Sequence, residues 1–292
     1  MQSEVIINFV LSQTGEVLDV LPGLTNAYRN ISAYEMADIC ARSARWSIPE
    51  SRTLFFCNQP EPESILAAAY SYIYSDKIRQ NYFEYDLLCF RIDYLKQKQI
   101  EGWEGAVIFT DIDVIFHSNV LDKIDFSYDV YIGVNPENNS NLTVDGLPGE
   151  SLMFNTTNGI TICKATDRAI AFFEAIKEKV EQEYANKKFQ SYGKFSQQIE
   201  ADFLKWWCVI HSTSLVIGRA ALMGLVPEVS SDRYSVGLLD DNIYNYAPNV
   251  EDGPNSMQMN VDPKHFNAVK MFHFRGVRKF LMRAMAQHLR LI

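Results

Sequence analysis

The segment from Val107 to Phe116, VIFTDIDVIF, constrains this chain more than any other stretch. Ala106 to Phe109 is a run of apolar residues of strand length, and Thr110-Asp-Ile-Asp113 follows at once. An apolar strand of this kind belongs inside a sheet, so the two carboxylates emerge at the sheet's carboxyl edge. With one residue between them, Asp111 and Asp113 would point to opposite sides of an extended chain. A turn at the strand end brings both toward a single hard cation instead. Two carboxylates joined by phosphate oxygens and water suit Mg²⁺ or Mn²⁺ better than Zn²⁺, which prefers His and Cys. The plain alternative is a pair of solvated turn aspartates, and Ile112 with the apolar residues upstream argues against it.

Strand-like and helix-like runs alternate around this segment. Val5 to Leu11, Arg52 to Cys57, Tyr128 to Val134 and Gly159 to Cys163 read as strands. Tyr34 to Trp46, Pro62 to Ser75, Asp86 to Gln99 and Asp167 to Tyr184 read as helices, the first with Met36, Ile39 and Cys40 on one face. A further helix is expected over Ala201 to Trp207, and irregular chain over Gly237 to Val261. This alternation predicts an α/β fold with a mainly parallel central sheet flanked by helices. Ligands in such folds sit outside the carboxyl ends of the strands. The Asn-, Gly- and Ser-rich run from Asn135 to Thr157 reads as a loop at that edge, able to close over a ligand and exclude water. With no internal repeat and no clean linker, residues 1–292 are expected to form a single domain.

Composition narrows the function classes. The chain has 292 residues, is 47% apolar and carries a formal charge of −9, so a general nucleic-acid binder is disfavoured. No stretch reaches the roughly 18 apolar residues that a membrane helix needs. The N-terminus lacks a basic start and a cleavage site, which reads as a first strand rather than a signal peptide. Cys40, Cys57, Cys89, Cys163 and Cys208 are odd in number and never spaced as CxxC, as expected of reduced, mostly buried thiols in a cytoplasmic protein. The tail, residues 277–292, reads as a basic amphipathic helix with Phe280, Leu281, Ala284, Met285 and Leu289 on its apolar side. It would pack on the core or, as the alternative, lie on the inner face of a membrane beside a lipid-linked acceptor.

Two further constellations carry chemistry. His273-Phe-Arg-Gly276-Val-Arg-Lys279 follows the strand-like Ala268 to Phe272. A neutral imidazole can complete a divalent site, a glycine lets backbone approach a phosphate, and Lys279 supplies a cation for a diphosphate. A core histidine beside a solvated basic face is the competing reading. The second is Glu200 and Asp202 in QQIEADFLKWW, where a carboxylate can act as a base or favour a helix start through the helix dipole.

Taken in order, these features resemble the metal-dependent glycosyltransferases of the GT-A fold, which use nucleotide-sugar donors. The resemblance rests on Thr110-Asp-Ile-Asp113, on Arg91 in the helix upstream, on Asn158-Gly159 opening a later strand, and on His273, Gly276 and Lys279 near the end. It spans roughly residues 5 to 280. It implies a single Rossmann-like domain, with Asp113 and His273 holding Mn²⁺ or Mg²⁺ and Asp111 shared between metal and ribose. Arg91, Gly276 and Lys279 would serve the diphosphate, with Asn158 and Gly159 lining the donor sugar. Glu200 or Asp202 would face the reacting centre. The implied reaction moves a sugar, from UDP most often, to a glycan hydroxyl, with a slight lean toward retention. The chain departs from some branches in lacking a Pro-Trp after Lys279.

Two rivals follow from the same residues. A haloacid dehalogenase-type phosphatase would use Asp111 as nucleophile, Asp113 as acid/base and Asp240-Asp241 as the later acidic pair. However, about a hundred residues of strand and helix precede the motif, and His273, Gly276 and Lys279 are left without a task. A non-catalytic glycan- or partner-binding protein on a transferase-like fold would use the 15 Tyr and 18 Phe, which by type belong mostly to cores.

Overall fold

The computed structural model describes residues 2–9, 31–58, 70–78, 82–134, 156–185, 208–210, 212–218, 228–250, 259–260, 266–274, 278–279 and 281–292. They fall into two compact units: one built from the N-terminal part, residues 107–125 and residues 241–292, the other from residues 77–106 and 126–240.

In the first unit, β1 (Ser3–Phe9), β2 (Ser51–Cys57) and β3 (Ser71–Tyr74) run parallel, with Asn8 opposite Phe56 and Phe55 opposite Tyr72. β4 (Ala106–Asp111) lies on the other edge of β1, so strand order reverses beside β1. Ligands of α/β sheets bind outside the carboxyl ends of strands at such a reversal, and Asp111 is the last residue of β4. β1 is buried along its whole length. That suits a parallel strand covered on both faces.

α1 (Ala33–Ser47) begins where Ser32 Oγ accepts from Glu35 N at 3.1 Å. This cap satisfies a backbone donor that the first turn leaves over. Its buried residues, Met36, Ala37, Ile39, Cys40, Ser43, Ala44 and Ser47, recur at helical spacing. The two serines on that face have a specific task. Ser43 Oγ accepts from Phe116 N at 3.0 Å and donates to Cys40 O at 2.7 Å, while Ser47 Oγ donates to Phe116 O at 2.8 Å. They satisfy the backbone of β5 (Val114–Phe116) where no strand does. Along its other edge β5 pairs antiparallel with β12 (Met271–His273), which sets His273 opposite Val114.

In the second unit, β6 (Val130–Val134) pairs antiparallel with β7 (Thr156–Lys164) and parallel with β9 (Ser235–Asp240), and β8 (Glu228–Ser230) adds antiparallel to β9. α2 (Phe83–Ile100) packs against α3 (Asp167–Ala185), and Lys96–Glu174, Gln99–Asp167 and Tyr85–Glu181 link them. α2 ends at Gly102, which has φ +68°, and Trp103 N returns to Lys98 O at 2.9 Å. A glycine reaches this left-handed conformation without the Cβ penalty, which gives a clean stop before β4.

The α/β class with a mainly parallel sheet flanked by helices is therefore what the chain adopts, with three local corrections. Ser71–Tyr74, expected at the end of a helix from Pro62, is a strand, because its alternating aromatic and β-branched residues pair with the edge of β2. Gly237 to Asp240, expected as irregular, belongs to β9, where β6 and β8 supply partners on both sides. α4 (Asp241–Tyr244) follows directly, with β10 (Asn249–Val250) and β11 (Met259–Asn260) forming a short ladder beyond it. Ala268 to Lys270 precedes β12 rather than belonging to it.

The tail helix is α5 (Leu281–His288). Leu281, Met282, Met285 and Ala286 are buried and Ala284 is exposed, so the apolar stripe is rotated from the expected one. α5 packs on α1, and Arg283 forms a two-pronged ion pair with Glu35. None of the five cysteines is in a disulfide. Among the described residues no helix is long and apolar enough to cross a membrane.

Candidate metal centre

Three elements of the first unit converge at the end of β4. Asp111 closes the strand, the chain bends at Ile112 and Asp113, and β5 starts at Val114. This is the turn that the Asp-Ile-Asp spacing needed, and it brings both carboxylates to one side. β12 holds His273 beside them: Phe274 N donates to Asp113 O at 2.8 Å, and His273 N donates to Tyr246 O at 2.9 Å. His273 Nε2 lies 3.2 Å from Asp113 Oδ1 and 3.9 Å from Asp111 Oδ2. One ligand atom from each of Asp111, Asp113 and His273 falls within 4.8 Å of the others. Two carboxylate oxygens and one imidazole nitrogen at that separation suit a single divalent cation with room for further oxygen ligands.

The two aspartates are not equivalent. Asp113 has a side chain 4% exposed, whereas that of Asp111 is 36% exposed, so Asp111 is the one open to a ligand arriving from solvent. Burial alone would raise the pKa of Asp113. Lys279 Nζ, 3.3 Å from Oδ2, is the largest opposing influence, and the carboxyl is held well below its usual range. The group is a carboxylate, which is the form that binds metal. Beneath the site Cys40 Sγ donates to Asp111 O at 3.6 Å. Burial, then the nearby charges of Asp113 and Asp111, push its thiol well above the ordinary range, so it stays a neutral packing group.

Behind His273 stands a pair that the sequence reading did not single out for this place. His273 Nδ1 is 2.8 Å from Asn245 Oδ1, and Asn245 Nδ2 donates to Asp241 Oδ1 at 2.7 Å. The only signal in the sequence is the i, i+4 spacing of Asp241 and Asn245 in DNIYN. Asp241 is thereby given a use other than the late acidic pair of a phosphatase. Asp240 ends β9 and is exposed.

The other expected site residues fall as follows. Arg91 is buried on α2 in the second unit. There the Cys163 thiol is pushed up by burial, and the Arg91 charge opposes that shift. Asn158 and Gly159 lie within β7, which opens at Thr156 rather than at Asn158-Gly159. Gly276, Glu200 and Asp202 lie outside the described residues, as do residues 62–69 of the helix expected from Pro62, the helix expected over 201–207, and residues 135–155 of the loop expected over Asn135 to Thr157, whose last two residues belong to β7 instead.

The family model for nucleotide-diphospho-sugar transferases matches residues 104–262, just over half of the chain. The chain belongs to this family. The matched region contains Asp111, Asp113, Asn158, Gly159, Asp241 and Asn245, and it ends before His273 and Lys279. No curated protein matches the chain.

Proposed function

We propose that this protein is a metal-dependent glycosyltransferase. It moves a sugar from a nucleoside-diphosphate sugar, with UDP the first candidate, to a hydroxyl of a glycan or glycoconjugate. The observation that carries the reading is the convergence of Asp111, Asp113 and His273 at the end of β4 in a chain of this family.

Mn²⁺ or Mg²⁺ is the cation that this donor set fits, and when bound it neutralises charge developing on the diphosphate leaving group. Asp113 and His273 hold their ligand atoms in a buried, backbone-braced frame. Asp111, the more accessible of the two aspartates, serves both metal and ribose. Lys279, an ammonium already inside the site, offers a point charge to a phosphate. Arg91, Asn158, Gly159 and Gly276 remain donor contacts on the strength of the family resemblance. On the same basis Glu200 or Asp202 takes the proton of the acceptor hydroxyl, or orients the sugar if the configuration is retained. Retention is the outcome that the resemblance favours. A glycan-building role in the cytoplasm fits the reduced cysteines. Peripheral contact with a membrane through residues 277–292 would fall to basic side chains such as Arg290, since the main apolar residues of α5 are buried.

The test is release of nucleoside diphosphate from UDP-, GDP-, ADP- and CDP-sugars, with and without Mn²⁺. One donor should turn over only with metal, and Asp113→Asn should reduce that rate by about a hundredfold or more, as expected when several kcal/mol of charge stabilisation is lost. NMR of the product anomer reads retention or inversion. No turnover of any donor, together with Mg²⁺-dependent hydrolysis of an aryl phosphate, would replace this reading with the phosphatase.

A further inference from the structure

We propose that Asn245, pinned by Asp241, is a positioning residue that holds His273 with its proton on Nδ1 and the lone pair of Nε2 turned on Asp111 and Asp113. The consequence for metal binding rests on the reading of the site given above.

The tautomer follows from the polarity of three groups in a row. The two nitrogens of a neutral imidazole differ, one a donor and one an acceptor, and the partner of one decides the role of the other. An amide presents both a donor and an acceptor end, so Asn245 by itself could face His273 either way. Asp241 removes that freedom. A carboxylate only accepts, and Asp241 Oδ1 lies 2.7 Å from the amide, so the NH₂ must point there. The carbonyl oxygen is left for His273, 2.8 Å from Nδ1, and an oxygen in that place requires a proton on Nδ1. Reversing the amide would let its NH₂ donate to an unprotonated Nδ1, but it would lose the bond to Asp241 and set a carbonyl against a carboxylate. Because Asn245 is fully buried and Asp241 nearly so, water does not screen that opposition of two oxygens.

The backbone keeps the three in line. Asn245 N donates to Asp241 O at 3.1 Å, Tyr246 N to Met271 O at 3.0 Å, and His273 N to Tyr246 O at 2.9 Å. Residues 241 to 246 are thus stitched directly to β12. The competing tautomer has a natural attraction, because a proton on Nε2 could be given to Asp113 Oδ1, 3.2 Å away. That arrangement would consume the lone pair that a cation needs. Asn245 stands against it. Partners of this kind fix ring orientation at metal sites, and their loss typically weakens binding by roughly 10–100-fold.

The experiment uses the full chain and two readouts. The first is ¹⁵N-histidine NMR of the metal-free protein at about pH 9, well above the ordinary imidazole range, with the His273 signal assigned by its absence from His273→Gln. The second is Mn²⁺ titration followed by electron paramagnetic resonance. The wild type should show Nδ1–H. Asn245→Ala should move the proton toward Nε2 and weaken Mn²⁺ binding by about 10–100-fold. The paired exchange D241N/N245D keeps an acceptor against the ring and should restore both. The milder Asp241→Asn should give a mixture of tautomers, which keeps the test open if Asn245→Ala does not fold. A wild-type ring protonated on Nε2 alone, or an Asn245→Ala protein with unchanged tautomer and Mn²⁺ affinity, would overturn the proposal. A wild type with the expected tautomer, sensitive to Asn245, that binds no divalent ion would uphold the positioning and defeat the metal reading instead.

Discussion

Lys279 sets its ammonium 3.3 Å from Asp113 Oδ2, while His273 Nε2 lies 3.2 Å from Oδ1 of the same carboxylate. One buried aspartate therefore serves two partners, and only Lys279 can be handed to an incoming phosphate without disturbing β12. Lys279→Met should separate the two services. Removing a positive charge leaves the carboxylates less compensated, so Mn²⁺ alone should bind at least as tightly as in the wild type. Metal-dependent binding of a nucleoside diphosphate should weaken about tenfold, or ~1.4 kcal/mol, within the usual worth of a hydrogen bond to a charged group. Calorimetric titration of each ligand reads both. Equal losses for metal and nucleotide would mean that Lys279 is structural only.

Ser43 tests how β5 is held. Its hydroxyl accepts from Phe116 N at 3.0 Å inside the core. Ser43→Ala leaves a buried N–H unsatisfied, at a cost of about 1–3 kcal/mol. Urea unfolding should show the midpoint fall with little change in slope. An unchanged midpoint would mean that α1 does not brace this strand.

Gly237 probes the second unit separately. A Cβ there would lie 2.7 Å from ring atoms of both Tyr128 and Tyr131. Gly237→Ala should destabilise by about 1–3 kcal/mol, the usual cost of overpacking, while Mn²⁺ affinity at Asp111, Asp113 and His273 stays at the wild-type value. Thermal unfolding and metal titration of the same variant check both halves of the statement.

Alkaline stability follows from Tyr70. Burial first, then Asp38, whose Oδ1 lies 3.1 Å from the hydroxyl, pushes the phenol up to about 12 from 10.0. The folded state thus favours the neutral phenol, and its contribution is intact below the unfolded pKa. It fades as pH rises from about 10 through about 12. Tyr70→Phe cannot ionise, so its melting temperature should fall less steeply than the wild type's across that window. Parallel curves would remove Tyr70 from the alkaline transition.

How far these features could be read in the sequence depended on how local their causes are. α1 was legible because Met36, Ile39 and Cys40 repeat at helical spacing, and the Asp111–Asp113 turn because an apolar strand ends on it. Ser71–Tyr74 and Gly237–Asp240 were misread because both short strands owe their conformation to a partner far along the chain. His273 stood out for an imidazole beside Gly276 and Lys279, but only the family resemblance tied it to Asp111 and Asp113, since no periodicity links it to residues some 160 positions earlier. The roles of Asn245 and Asp241 depend on an amide's orientation inside a buried cluster, and nothing in composition or spacing reveals that.

The most direct measurement is thermal unfolding with UDP, GDP, ADP and CDP, each with and without Mn²⁺, on the wild type and Asp113→Asn. A ligand that binds only the native state raises its melting temperature by mass action. One diphosphate should stabilise the wild type only when Mn²⁺ is present, and Asp113→Asn should lose that shift. If no diphosphate stabilises the wild type with Mn²⁺, or if Asp113→Asn responds as the wild type does, Asp111, Asp113 and His273 are not the metal centre of a sugar-nucleotide enzyme.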